Sequence, residues 1–478
     1  MLAKRKESRA FGKTRKCRSA SPSFNGETLR SAVSWAADGR IFDHLEFHGN
    51  TSWSMGELIQ LTILWVWADH STLTGAFQEA QHWWDKVVGR TVVDSYQGLL
   101  KALVKWTSIV LPLLQDRLHG LMRVHGAPHW RVGPWVALAV DGSRVSVPRT
   151  HSNEQAFCAP HFGKGKHARY NQRQRNKQGR KKVQKNVQPL KPQIWVTLLW
   201  HMGLQMPWSW RTGRSNSSER AHFRQMLTEE KFPENTLFCA DAGFVGYDLW
   251  NAILDEGHSF LIRVGANVTL LRGLGYCRER DGIVYFWPKK ALCKQAPPLV
   301  LRLLQFRLGQ TNVYLVTNVL STKRLTDIQA RRLYELRWGV ELQFRSLKQT
   351  FGRRQLRCRS AERAYVELDW SLVGLWIIQL FAVKEQIHIG EIPEHCSVSL
   401  AIQVVRRTFQ RWSEQPDRIH SFAVQLRSAV KDEYQRSTSK RARYRPSYKD
   451  KPSAGKPKII PASQHHKLRM LRYLNAAA

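Results

Sequence analysis

YELRWGVELQFRSLK, residues 334–348, is the stretch on which both the fold and the chemistry of this chain turn. On a helix at about 100° per residue, Tyr334, Arg337, Glu341 and Lys348 land within roughly a 60° arc. Arg331 and Arg345 join that face, while Leu336, Val340, Phe344, Leu347 and Phe351 gather on the opposite side, where a core would cover them. One carboxylate is thereby set in a row of cations and a phenol, which suits a metal-holding acid working beside DNA phosphates. The same residues also suit a solvated face on which Glu341 makes ordinary i,i+4 pairs with Arg337 or Arg345. The acids upstream have to decide between the two.

Two aspartates stand out by position. Asp141 closes the apolar run AVD, and Asp241 closes FCAD ahead of Ala-Gly-Phe. The segment WVALAVDGSRVSVP reads as two short strands turning at Asp141-Gly142-Ser143. Strand ends are where ligands gather in α/β sheets, and a buried Asp there needs a cation or a hydrogen-bond donor. Asp141, Asp241 and Glu341 converge if the two strands are neighbours and the Glu341 helix crosses them. Three hard oxygen donors suit Mg²⁺, and two such ions about 3.5–4 Å apart would serve an in-line phosphoryl transfer. The competing assignment makes Asp141 a turn residue and Asp241 a helix N-cap.

Bulk composition narrows the partner. The 478 residues carry a formal net charge of +38 with 42% hydrophobic content and 19 tryptophans, so a packed, strongly basic protein is expected. Nucleic acid is the foremost partner for that surplus, with an anionic membrane as competitor. The longest apolar run, Leu372 to Val383, is short for a membrane span and contains Gly374 and Gln379. Lys4 to Arg18 is basic with no apolar stretch behind it, so a soluble cytoplasmic protein is expected. Seven cysteines, never in a CxxC pair, fit free thiols rather than a zinc site or a disulfide framework.

Along the chain, residues 1–25 read as a basic flexible segment and 26–130 as a helical domain whose function the sequence does not state, with a Ser54/Glu57 capping box ahead of its first apolar helix. Residues 131–385 read as an α/β core in the order β-β-β-α-β-α-β, with a β-rich insertion at 265–320 before the Glu341 helix. A helical region follows at 386–435 and a basic flexible tail at 436–478. Inside the core, 161–191 holds eleven Lys or Arg and no acid. Lys164, Lys166, Arg169, Arg180, Lys181 and Lys182 there, with Arg144 just beyond Asp141, are candidate phosphate contacts.

Taken together, AVDGS, ADAGF and the Tyr-x2-Arg-x3-Glu-x6-Lys spacing of Tyr334, Arg337, Glu341 and Lys348 resemble the DDE transposases of bacterial insertion sequences, in the group called the insertion-sequence-four family. The resemblance covers roughly residues 135–385. It implies a ribonuclease H-like core, a mixed sheet flanked by helices, in which Asp141, Asp241 and Glu341 hold two Mg²⁺ ions, with Mn²⁺ as substitute. It further implies that water cuts one strand at the transposon end, and that the freed 3′-hydroxyl attacks the opposite strand or the target. Tyr334, Arg337 and Lys348 would hold end phosphates and the helical domain 26–130 would bind DNA ends, with Arg345, on the same helix face, a further candidate DNA contact. Double-stranded DNA, a homodimer in the synaptic complex and the bacterial nucleoid are the implied partners and place. A structure-specific endonuclease on the same core, or an inactive DNA-binding descendant, is the alternative; the Tyr-Arg-Glu-Lys row and the complete acid set favour the transposase.

Overall fold

A computed structural model of the chain describes residues 29–46, 53–158, 191–277, 279, 282–309, 311–411, 422–432 and 455–477. The N-terminal part is helical: α1 (Leu29–Ala36), α2 (Met55–Trp67), α3 (Leu73–Val88) and the 30-residue α4 (Tyr96–His125). Each of the last three starts where a hydroxyl can accept from an otherwise orphaned backbone N–H: Ser54, Thr72 and Ser95. At Ser54 the box is reciprocal, since the Glu57 carboxylate accepts from the Ser54 amide at 3.0 Å. A short α5 (His151–Phe157) follows the first strand.

That first strand, β1 (Val136–Ser146), organises the sheet. Its side chains alternate between two cores: Ala137, Ala139 and Val145 enter one, Leu138 and Val140 the other. The expected hairpin at Asp141-Gly142-Ser143 does not form. β2 (Gln193–His201) pairs antiparallel with β1 from Leu138 to Ser146, so the ladder holds Asp141 and Gly142 extended and leaves no turn to make. β3 (Met206–Gly213) adds antiparallel to β2. On the other side, β4 (Thr236–Ala240) and β5 (Ser259–Val264) run parallel to β1 in succession, reached by the helices α6 (Glu219–Glu229) and α7 (Tyr247–Asp255).

The β-rich insertion extends this sheet. β6 (Thr269–Arg272), β7 (Ile283–Phe286), β8 (Leu299–Leu308) and β9 (Thr311–Thr317) join antiparallel to one another, and β9 pairs with β5. A small helix, α8 (Lys289–Cys293), precedes β8. The long helix expected across Glu341 is broken: α9 (Asp327–Leu336) stops, α10 (Gly339–Arg345) restarts, and a π turn, Ser346–Thr350, ends it. At the break, Trp338 donates to the Glu335 carbonyl and Val340 to the Arg337 carbonyl, tighter i→i+3 bonds that reorient α10. Its apolar side is buried as expected, with Leu336, Val340, Phe344, Leu347 and Phe351 at 8% exposure or less.

The run Leu372–Val383 is the middle of α11 (Ala361–His388), apolar all round and buried along its length. α11 and α4 are both long and apolar enough to cross a membrane, yet 94% of the apolar window of α11 lies inside the protein. Its tryptophans and neighbours tie it to the N-terminal helices: Trp370 Nε1 donates to Thr107 Oγ1 at 2.9 Å, and Trp67 Nε1 to the Gly374 carbonyl at 3.0 Å. α12 (Val398–Arg411) and α13 (Phe422–Arg427) complete that side. The tail is not uniformly flexible. β10 (Lys458–Pro461) pairs parallel with β6, and α14 (Gln464–Ala477) sends Met470 into a cluster with Tyr285 and Trp287. Met470, with Ala462 and Tyr473 packed beside it, supplies an apolar anchor that the basic composition concealed. The six described cysteines are free.

One glycine fixes where α10 sits. A Cβ on Gly339 would lie 1.9 Å from Cη2 of the buried Trp200, on β2. Gly339→Ala gains up to about 1 kcal/mol of helix propensity but meets an overpacking penalty of roughly 1–3 kcal/mol. A net loss of stability on chemical denaturation is expected; a variant as stable as the parent would mean that Trp200 does not set the position of α10.

Candidate active site

The last parallel pair of β1 and β4 is Ala139 with Cys239. Two residues further, strand alternation returns Asp141 and Asp241 to the face on which Ala139 and Cys239 lie. Asp141 is still inside β1, opposite Leu198, and Asp241 is the first residue past β4. Val340 and Phe344 of α10 belong to the core on that same face, which carries Glu341 over the two strand ends. The sequence expectation required neighbouring strands and a crossing helix, and both are present.

Electrostatics register the convergence. Burial, and then the like charges of Asp241 and Glu341, push the Asp141 carboxyl up to about 6, against a hydrogen bond from the Gly142 amide at 2.9 Å and the charge of Arg337. Asp241 accepts from the Gly243 amide at 2.7 Å and caps a short 3-10 turn, so it fills the N-cap role as well. Glu341 pairs with Arg337 at 3.3 Å. Arg337 is only 6% exposed and lies over the Tyr334 ring at 5.3 Å. Burial works to lower its pKa, but Tyr334, Asp141, Glu341 and Asp241 outweigh that and raise it.

The four residues of the helical row therefore do not form one open face. Tyr334 is buried with its ring edge-on to Phe306, and Arg337 points at the acids. Lys348 donates to Ser143 Oγ at 2.6 Å, two residues beyond Asp141 on β1. Arg345 is exposed. Arg144 is exposed too, donating from Nε to the Ser215 carbonyl at 3.2 Å with its guanidinium 4.6 Å from the Trp195 ring centroid. Lys164, Lys166, Arg169, Arg180, Lys181 and Lys182 lie outside the described residues, as does the segment 1–25.

As the side chains stand, no three His, Cys, Asp or Glu groups among the described residues enclose a metal position. The acids are held by two backbone amides, of Gly142 in β1 and Gly243 in the turn after β4, and one guanidinium instead. The donor chemistry nonetheless fits a hard dication: carboxylates only, with Asp141 buried, and then crowded by the other two, so that it holds its proton unusually tightly.

Sequence reading missed a fourth acid. Glu219, first residue of α6 after the Ser218 cap, comes from the opposite face of the sheet. A Cβ on Gly142 would lie 2.6 Å from its Cγ and 2.8 Å from its Oε1, and a Cβ on Gly243 would lie 2.9 Å from Asp241 Oδ1 and 3.9 Å from Glu219 Oε2. Burial, then Asp141 and Asp241, push its carboxyl up to about 7, with Arg144 and Arg220 opposing. The available signal was Gly142 itself, since a glycine inside a strand marks close approach. Also missed was a cavity of about 550 Å³ beside Ser218, lined by Arg220, Arg224, Lys290 and Lys294. These cations are scattered singly in sequence and meet only through the packing of α6 against the insertion.

Comparison with known proteins bears on this geometry. A family model described as "Transposase DDE domain" matches residues 136–376, half of the chain. The transposase InsG of insertion sequence element IS4 from Escherichia coli is 25% identical over 291 residues, 59% of this chain. The match likewise spans only 59% of that relative's length. A solved piggyBac transposase synaptic complex with hairpin DNA is similar with a TM-score of 0.36 and 12% identity, over 85% of this chain and 83% of that one.

The crowding of acids has a measurable sign. The folded Asp141 carboxyl titrates at about 6 against an ordinary 3.8, so stability present below pH 4 is lost as pH rises through 6. In metal-free buffer at pH 8, Asp141→Asn is expected to be the more stable protein, by about 1–2 kcal/mol after allowance for solvent screening. The gain should vanish near pH 4. Equal stability of the two proteins at both pH values would refute the electrostatic description.

Proposed function

The chain belongs to the transposase DDE-domain family, and from that premise we propose that it is a cut-and-paste DNA transposase of the insertion-sequence-four type. The observation that carries the reading is the meeting of Asp141, Asp241 and Glu341 just past the last parallel pair of β1 and β4, close enough for Asp141 to sense both others. Tyr334, Arg337, Glu341 and Lys348 then constitute the group's signature, and β3-β2-β1-β4-β5 its ribonuclease H-like core. The strand order, with β4 and β5 parallel to β1 and β2 antiparallel, supports that assignment. The helices of 26–130 serve end binding in this reading, and the insertion is the sheet extension β6–β9.

Asp141, Asp241 and Glu341 would hold two Mg²⁺ ions, for which Mn²⁺ substitutes. Bound there, such ions supply Lewis-acid stabilisation of the phosphoryl oxygens under attack and of the departing oxygen. The protein's part is to fix the scissile phosphate over the strand ends and to exclude alternatives to in-line attack. Water first severs the bond at the element end and frees a 3′-hydroxyl, which then attacks a second phosphodiester in the opposite strand or the target. Lys348, bonded to Ser143 two residues beyond Asp141, presents a point charge to the phosphate. Arg220, Arg224, Lys290 and Lys294 line the cavity beside Ser218 and would contact the duplex backbone. The partners are double-stranded element ends and target DNA, engaged by a homodimer in the bacterial nucleoid.

The test is incubation with end-bearing DNA and Mg²⁺, read on a denaturing gel that separates nicks, hairpins and double-strand breaks. Glu341→Gln should lose cleavage by about 10³-fold or more while binding ends nearly as the parent does, because binding rests on the cations. Mn²⁺ should replace Mg²⁺, and Ca²⁺ should support binding without turnover. Cleavage that persists in Glu341→Gln or in EDTA would refute the reading; nicking without any joining would leave the endonuclease alternative.

A further inference from the structure

We propose that Glu219 is a fourth oxygen ligand of the divalent-cation centre, delivered through the sheet by the N-terminus of α6 and admitted by the missing side chain of Gly142. The inference rests on the transposase reading of Asp141, Asp241 and Glu341. It extends that reading to an acid from another element and the other face of the sheet.

Geometry comes first. β1 stands between α6 and α10: Phe223, Met226 and Leu227 of α6 pack in one core, Val340 and Phe344 of α10 in the other. A side chain at position 142 would point at α6, and any Cβ there would stand within 2.6–2.8 Å of three Glu219 side-chain atoms. Glycine leaves that volume to the Glu219 carboxylate, which reaches the strand ends beside Asp141. Its other oxygen shares the space above Gly243 with Asp241 Oδ1.

The ordinary account of an acid at a helix start is interaction with the macrodipole, and a carboxylate doing only that turns to solvent or to a backbone amide. Glu219 does neither. Among the described residues no hydrogen bond or ion pair to its carboxylate is found, and Ser218 Oγ already accepts from the Ala221 amide. Glu229, at the other end of the same helix, is exposed and pairs with Arg211 at 2.9 Å. An acid that is half-buried, unpaired and set between two like charges is held against its own electrostatics. A shared cation reverses the sign of every one of those contacts.

The experiment is Mn²⁺ binding to the full chain, followed by the electron paramagnetic resonance of the free ion, with no turnover required. The parent should bind two ions. Glu219→Gln should bind one of them at least about 10-fold more weakly, and Asp141→Asn should weaken both. Gly142→Ala, which puts a methyl group where Glu219 reaches, should reproduce the Glu219→Gln isotherm, and the double variant should add nothing further. Glu229→Gln should bind as the parent does. A thermal transition for Glu219→Gln no lower than the parent's shows that the loss is not unfolding. Parent-like binding by Glu219→Gln alongside weakened binding by Asp141→Asn overturns the fourth ligand and leaves the three-acid reading standing. Parent-like binding by both variants, or no binding by the parent, overturns both.

Discussion

Two aspartates at matched positions on adjacent parallel strands impose the constraint around which the rest is arranged. Neighbouring strands lie ~4.8 Å apart. Like charges at that spacing repel by on the order of 3 kcal/mol at an effective dielectric of ~20. Few pairs in a folded protein are left in that state, and here Glu341 and Glu219 are brought to the same place. What compensates them in the absence of a cation is modest: one amide for Asp141, one for Asp241 and a single guanidinium. This cluster of acids sits in a chain of net charge +38.

Holding three elements to that point demands rigid support, and the core supplies it. Gln343 of α10 and Gln379 of α11 exchange amide hydrogen bonds at 2.9 and 2.8 Å, both buried. Gly339 rests on Trp200, which ties the start of α10 to the strand next to β1. Arg353, just beyond the π turn, is buried against Ser371 and Glu367 of α11. α11 in turn is clasped by the N-terminal helices through Trp67, Thr107 and Met122. The path from the N-terminal helices to Glu341 is thus continuous packed protein rather than a loop.

How much of this could be read from the chain depended on the range of the interaction. The three acids were legible because each carries a local mark: Asp141 and Asp241 close apolar runs, and Glu341 interrupts a cationic face at helical spacing. Ser54 with Glu57 was legible as a capping box for the same reason. What failed was whatever a distant partner decides. The Asp-Gly pair at 141–142 reads locally as a turn, but the ladder to β2 keeps it extended. The row from Tyr334 to Lys348 reads as one helix, but the break at Trp338 turns Tyr334 into the core and Arg337 onto the acids. Glu219 had no mark of its own, because an acid in a first helical turn is commonplace. Residues 458–461 read as a basic tail until β6 offers them a strand edge.

Arg337 reconciles the sequence expectation with the observed geometry. The family resemblance assigned it to a phosphate, yet in the structure its fork is turned to Glu341, with Nε left without a partner. A buried guanidinium needs anionic neighbours, and here the acids are the ones in reach. If a dication takes over the charge of Glu341, the strength of that pair falls, because the same carboxylate oxygens cannot serve both cations fully. Arg337 would then hold a buried charge with less compensation, and a phosphate arriving at the same strand ends is the group that restores it. Bidentate geometry favours an arginine over a lysine in that exchange, since one fork matches carboxylate and phosphate alike. The inward ion pair and the outward clamp are in this view two partners of one side chain, selected by whether positive charge is already present at the acids.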